Sequence, residues 1–313
     1  MKTLGEFRYD VATGLTIGAR ERQEDTVVAD FPRGAEVGFA VLSDGMGGHA
    51  SGDVASGIVA TELFSELKLL STAPVEMEQV IGAALREAVV EANRCIALYE
   101  EQNPSARGMG ATLVAPVLFD NRLYWVSVGD SPLYLFRQGK LFRLNEDHSY
   151  AAQIDRLHAQ GIIPLEEARD HPDRSALVSV LAGGEIAQID CRAEPMSLKD
   201  GDIILAASDG LHSLTDDTVT DVLRAQQHNS GGQICEALLQ AVAAEGCPEQ
   251  DNLSLCVMKA NRLGEIQDRT VSGRLPRGGD TATFETGQVV HIDRNTHQGV
   301  VRTVVSLTRK ARK

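Results

Sequence analysis

The sequence predicts an α+β fold from three features: short apolar runs that follow one another, hairpin signals joining two pairs of them, and helical periodicity confined to separate blocks. Taken in order, residues 38–43 form an apolar run closed by Asp44-Gly45, residue types that end strands. Helical spacing follows over 54–70 and again over 80–99, where Val80, Ile81, Ala84, Leu85, Ala88, Val89, Ala92 and Ile96 recur every three or four positions. The runs 112–118 and 123–128 flank Phe119-Asp120-Asn121-Arg122, and Arg137-Gln138-Gly139-Lys140 turns 133–136 back into 141–144. Both hairpins imply antiparallel pairing. Helices are expected over 150–160, 165–169 and 233–245, the last stopped by Gly246-Cys247-Pro248, with strands at 203–207 and 253–258. A late hairpin is expected, 289–292 with 300–307 around Asp293-Arg294-Asn295.

The length of 313 residues suits one large domain with an appendage. The composition changes near residue 260: residues 261–313 hold ten Lys or Arg against five acids, a net +5 set against −19 for residues 1–260. The expected division is a catalytic body, 1–260, and a basic C-terminal extension, 261–313, entered through a Gly- and Pro-bearing linker at 272–279. A total charge of −14 disfavours nucleic acid and anionic membrane as partners, since both are bound chiefly through Lys and Arg. Five cysteines without a CxxC pair indicate neither a zinc site nor a disulfide framework. With no signal-peptide stretch and no eighteen-residue apolar run, a cytoplasmic monomer is expected.

Acids recur at the strand ends. Apolar runs lead into Ser43-Asp44-Gly45, Gly129-Asp130-Ser131 and Ser208-Asp209-Gly210, and another begins after Asp251-Asn252. In an antiparallel sheet the end of one strand lies beside the start of its neighbour, so Asp209 and Asp251 can meet. A single Asp-Gly is usually just a turn. Several gathered carboxylates repel one another, however, and favour a cation. Oxygen-only ligands select Mg2+ or Mn2+ over zinc. The glycine-rich stretch 44–52 carries neither GxxxxGK[ST] nor GxGxxG and opens with an acid, so it is not read as a phosphate loop; His49 within it is read as supporting local structure.

The ordered set Arg20-Glu21-Arg22-Gln23-Glu24-Asp25, Asp44-Gly45-Met46-Gly47-Gly48-His49, Gly110-Ala111-Thr112-Leu113, Gly129-Asp130-Ser131, Asp147-His148-Ser149, Ser208-Asp209-Gly210 and Asp251-Asn252 resembles the bacterial type 2C metal-dependent protein serine/threonine phosphatases over about residues 8–259. The resemblance implies an αββα sandwich of two antiparallel sheets flanked by helices, and hydrolysis of phosphoserine or phosphothreonine opposing a Ser/Thr kinase. The nucleophile would be a water activated by two Mn2+ or Mg2+ ions, with a third ion alongside. By analogy Asp25, Asp44, the Gly45 carbonyl, Asp209 and Asp251 hold the pair, and Asp130 holds the third. Glu24 and Asn252 stand behind the ligands, and Arg20 binds the phosphate oxygens through its planar fork.

Three places depart from the family pattern. Met46 stands where animal members carry a proton-donating His, as in bacterial relatives, which leaves leaving-group protonation to a water at the ions. Pro132 and Val178-Ser179 replace Arg-bearing positions, so contacts of the flap at 148–175 are open. The competing reading is a slow or inactive phosphoprotein-binding regulatory module of the same fold; a metabolite phosphatase is a third.

Overall fold

The computed structural model describes residues 7–32, 35, 37–47, 51–169, 171, 173–174, 176–262, 291–294 and 300–304. In chain order the strands are β1 (Phe7–Thr16), β2 (Asp25–Asp30), β3 (Val37–Met46), β4 (Gly110–Ala111), β5 (Leu113–Phe119), β6 (Arg122–Val128), β7 (Leu133–Arg137), β8 (Lys140–Arg143), β9 (Asp190–Ser197), β10 (Ile203–Ala207), β11 (Leu253–Arg262), β12 (His291–Arg294) and β13 (Val300–Val304). The helices are α1 (Gly52–Leu70), α2 (Pro74–Gln102), α3 (Tyr150–Ala159), α4 (Leu165–Arg169), α5 (Asp216–Gln226) and α6 (Gly231–Glu245). One sheet runs β12-β13-β1-β11-β10-β7-β8 and the other β2-β3-β5-β6-β9, with β4 beside β3. The pairings are antiparallel.

Alternation along each strand builds the layers. In β3, Val37, Phe39 and Val41 pack with α1 and α2 residues such as Leu63, Leu85 and Ile96, while Ala40 and Leu42 face the second sheet. In β10, Ile203, Leu205 and Ala207 meet α5 and α6 through Leu223, Ile234 and Leu238, while Ile204 and Ala206 face inward. Both faces of these strands are covered, so they read as unbroken apolar runs rather than alternating ones. Burial of each large side chain contributes about 1.5–3 kcal/mol. The result is the αββα sandwich, with three apolar layers.

The hairpins fall where the turn residues place them. Phe119 pairs with Arg122 and Arg137 with Lys140. Gln138 and Gly139 both have positive φ, 53° and 76°, as a two-residue turn matched to strand twist requires. Helix α6 opens with a capping box from Ser230 and Gln233 and ends on Gly246 at φ 65°, beside the expected stop.

Several elements differ from expectation. β1, β2, β9 and α5 carry no clear periodic signal, and α2 starts at Pro74, whose fixed φ suits a first helical turn. β3 runs on through Asp44 to Met46, because Asp44 pairs with Asp25 and Gly45 with Ala111. Asp44 therefore lies inside a strand rather than after one. In the C-terminal stretch, β13 pairs with β1 and β12 with β13. Asp293 and Arg294, expected in the turn, are strand residues, whereas 289–290, Asn295 and 305–307, like the expected linker at 272–279 and His49, lie outside the described residues.

Candidate active site

Strand parity carries the acids to one end of the inter-sheet layer. Ala40 and Leu42 face inward from β3, so Asp44, two residues on, does too; Val27 and Ala29 place Asp25 on the inner face of β2. Asp25 and Asp44 are direct register partners, a like-charged pair that would weaken an ordinary sheet. The second sheet supplies the rest. β10 and β11 are antiparallel with Ala207 opposite Leu255, so Asp209 leaves the sheet where Asp251 enters it. The Ser208 N–H donates to the Ser254 carbonyl at 2.9 Å, and a Cβ on Gly210 would fall 2.0 Å from the Asn252 carbonyl oxygen, so only glycine allows this approach.

Electrostatics mark the same place. Burial, offset in part by the Ser208 hydroxyl, raises Asp25 to about 6. Burial and then the charges of Asp251 and Asp25 raise Asp209 to about 6. Asp44 is raised well above the ordinary carboxylate value by burial and by Asp25, Asp209, Asp130 and Asp251 in turn. Among the described residues no three acidic, His or Cys side chains stand as a ready-made ligand shell. Asp25 Oδ1 and Asp209 Oδ1 are buried with no hydrogen-bond partner among the described residues. Two orphaned carboxylate oxygens beside a third carboxylate fit a hard cation, which would satisfy them without a proton.

The surrounding contacts hold this end in shape. The Gly45 N–H donates to the Glu24 carbonyl at 3.1 Å, and a Cβ on Gly45 would lie 2.0 Å from the Gly52 carbonyl, so α1 begins against the Gly45 backbone. Asn252 ties three stretches together. Its Nδ2 donates to Ile17 and Arg22 carbonyls, both at 2.9 Å, and its Oδ1 accepts the Glu24 N–H at 2.8 Å. The Glu24 carboxyl lies beside Gly52 and is raised first by burial, then by Asp53. Arg20 reaches the mouth, where its Nη2 donates to Asp251 Oδ2 at 2.7 Å in an ion pair open to solvent.

Asp130 follows β6 and is raised to about 7 by burial and then by Asp209 and Asp147. Its interaction with Asp209 and Asp44 places it beside the cluster. The departures at Pro132 and Val178-Ser179 are absorbed locally: the Pro132 carbonyl accepts the Ala207 N–H at 3.1 Å, and Ser179 Oγ donates to the Gln188 carbonyl at 2.7 Å. Sequence reasoning missed the polar residues supporting the acids. Thr112 Oγ1 accepts the Asp44 N–H at 3.1 Å, and Ser208 Oγ donates to Asp25 Oδ2 at 2.7 Å. Their signal was a buried Ser or Thr interrupting an apolar run, since such a hydroxyl needs a partner.

The chain matches the protein phosphatase 2C family over residues 17–250. It is 31% identical to the serine/threonine phosphatase stp of Listeria welshimeri over 231 residues, 74% of this chain and 87% of that protein. The crystal structure of the Mycobacterium tuberculosis serine/threonine phosphatase PstP/Ppp superposes with a TM-score of 0.64 at 33% identity, covering 81% of this chain and 98% of that one. The catalytic domain of PstP in complex with two manganese ions gives 0.62 at 29% identity, covering 82% and 98%.

An αββα sandwich with carboxylates gathered at one end of its central layer defines a metal-dependent phosphoprotein phosphatase. The chain belongs to the protein phosphatase 2C family. Among the described residues no helix is long and apolar enough to cross a membrane.

Proposed function

We propose that this chain hydrolyses phosphoserine and phosphothreonine in proteins, opposing a Ser/Thr kinase, as a cytoplasmic monomer. The observation that carries the metal reading is the pair of buried oxygens, Asp25 Oδ1 and Asp209 Oδ1, which have no hydrogen-bond partner among the described residues, around Asp44. Asp25, Asp44, the Gly45 carbonyl, Asp209 and Asp251 would hold two Mn2+ or Mg2+ ions, and Asp130 a third. Bound there, such ions acidify a water as nucleophile and offset the charge on phosphate.

The chain's own groups do the positioning. Arg20, at the mouth and open to solvent, would grip phosphate oxygens through its other guanidinium nitrogens while Nη2 holds Asp251. Glu24, raised by burial and Asp53, is suited to holding a proton of an ordered water. Asn252 keeps the Arg20 and Glu24 stretches against the Asp251 loop, so the phosphate grip and the acids stay in register. Met46 has no proton to give, so the leaving serine or threonine oxygen takes its proton from water.

The test is hydrolysis of phosphoserine and phosphothreonine peptides with Mn2+, with a sugar phosphate alongside. Turnover of the peptides, reversibly abolished by a chelator, is expected. Tight peptide binding without turnover would replace this reading with the regulatory-module one, and preferential turnover of the sugar phosphate would replace the substrate class.

A further inference from the structure

Besides the Ser131 hydroxyl bond to Thr112 Oγ1 at 2.7 Å and the Pro132 carbonyl bond to Ala207, the turn presenting Asp130 is held by one stretch of chain, residues 143–148. The Gly129 N–H donates to His148 Nδ1 at 3.2 Å, and the His148 N–H donates back to the Gly129 carbonyl at 3.1 Å. Asn145 accepts the Leu133 N–H at 2.8 Å and donates through Nδ2 to the Ser131 carbonyl at 2.9 Å. Between these two fixed points, Arg143 Nη2 donates to the carbonyl of Asp130 itself at 2.6 Å. Its other terminal nitrogen, Nη1, donates to Asp147 Oδ2 at 2.7 Å, and Asp147 Oδ1 accepts the N–H of Ser149, the residue before α3.

The contacts are built into the core. His148 and Asn145 are buried, at 1% and 6% exposure, and His148 is kept neutral by burial, consistent with an Nδ1 that accepts. Arg143 joins two acceptors on different segments through two nitrogens of one planar group. A Lys offers a single point of charge and cannot span both with fixed geometry. Pro132, two residues beyond Asp130, brings no side-chain donor to the turn.

We propose that Arg143 is a positioning residue for a divalent cation at Asp130, and that through Asp147 it joins the Asp130 turn to the start of α3. The inference rests on the metal reading above. Arg143 acts on the ion through the Asp130 backbone, setting where the carboxylate stands relative to Asp209. Because the same guanidinium holds the base of the segment leading into α3 and α4, a disturbance of either one is felt by the other.

The experiment compares Arg143→Met and Arg143→Lys with Arg122→Met, which breaks a two-bond ion pair with Glu78 at the far end of β6. Mn2+ is titrated calorimetrically into the full chain, and amide exchange at Gly129, Leu133 and Ser149 is followed after chelator treatment. Arg143→Met should weaken the weakest Mn2+ site about tenfold or more. It should also speed exchange at the three amides and raise the Mn2+ concentration needed for peptide hydrolysis, with a smaller change in KM at saturating metal. Arg143→Lys should recover only part of this, and Arg122→Met should lower the melting temperature without moving the Mn2+ site. A weakest site within twofold of wild type in Arg143→Met, equal losses in Arg122→Met, or no third Mn2+ site in the wild type would each overturn the proposal. Amide exchange, read without metal or substrate, separates a failed clamp from a failed assignment of the reaction.

Discussion

Strand β10 carries an aspartate at each end, Asp202 before it and Asp209 after it, and the chain treats the two in opposite ways. At the first end the counter-charge is part of the protein. Arg137 donates Nε to Asp202 Oδ1 at 2.9 Å and Nη2 to Oδ2 at 2.5 Å, and the Lys199 N–H adds a third bond at 2.6 Å. At the second end Asp209 Oδ1 has no partner among the described residues, and the charges that act on it include Asp251 and Asp25. A buried carboxylate needs a cation or a proton. One end of the strand is complete on folding; the other is complete only with something from solution. The site is thus a departure from the way this fold otherwise buries charge.

The largest effect should come from removing an acid at the open end. Asp44→Asn is expected to lower kcat/KM on a phosphopeptide at least about 10³-fold, roughly 4 kcal/mol of transition-state stabilisation. The same variant should melt higher than wild type in the absence of metal, because one of several mutually repelling charges is gone. Activity within tenfold of wild type would break the contrast between the two ends.

Next comes the closed end. Arg137→Met leaves Asp202, 2% exposed, without its cation and should cost about 3 kcal/mol of stability. Denaturant unfolding measures this, and kcat/KM per folded molecule should stay unchanged. Stability equal to wild type would mean the pair contributes nothing.

A smaller effect is expected from Ser208→Ala, which takes the hydroxyl from Asp25 Oδ2. Affinity for Mn2+ should fall about tenfold, as for other groups that orient a ligand. Calorimetry would expose an unchanged affinity.

The mildest change is with pH. Asp25 and Asp209 are raised to about 6 and Asp130 to about 7, from an ordinary 3.8. Across the window between 3.8 and those values the folded chain holds more protons than the unfolded one, so this contribution to stability falls as pH rises. The metal-free chain should therefore gain stability from these groups between pH 7.5 and 5.5, while Mn2+ affinity falls over the same range because protons compete for the same oxygens. Melting curves with and without Mn2+ read both slopes; parallel curves would contradict the account.

What could be read in the sequence follows from how each element is covered. β5, β6, β10 and β11 are buried on both faces and stand out as apolar runs, and the acids at their ends were visible for the same reason. β9 is an exposed edge strand with Pro195 and a register shift opposite Leu123 and Trp125, so it shows neither run nor alternation. β1 is broken by Gly14, where a Cβ would fall 2.7 Å from Cys235 Sγ on α6: packing, not strand pattern, chose that residue. α5 buries only Val219 and Leu223, and its start is marked by the Thr215 cap rather than by periodicity. Within the site, Asp25, Asp44, Asp209 and Asp251 were legible as acids next to strands. The register that sets Asp25 opposite Asp44, and the Arg20 ion pair with Asp251, depend on partners more than 15 residues away and leave no local trace.

The most direct measurement is the number of Mn2+ ions bound per chain at pH 7.5, by titration calorimetry, in wild type, Asp44→Asn and Asp202→Asn. The account predicts two tight ions in wild type and in Asp202→Asn, and loss of both tight sites in Asp44→Asn. Tight binding that survives in Asp44→Asn, or wild type that binds no Mn2+, would contradict it.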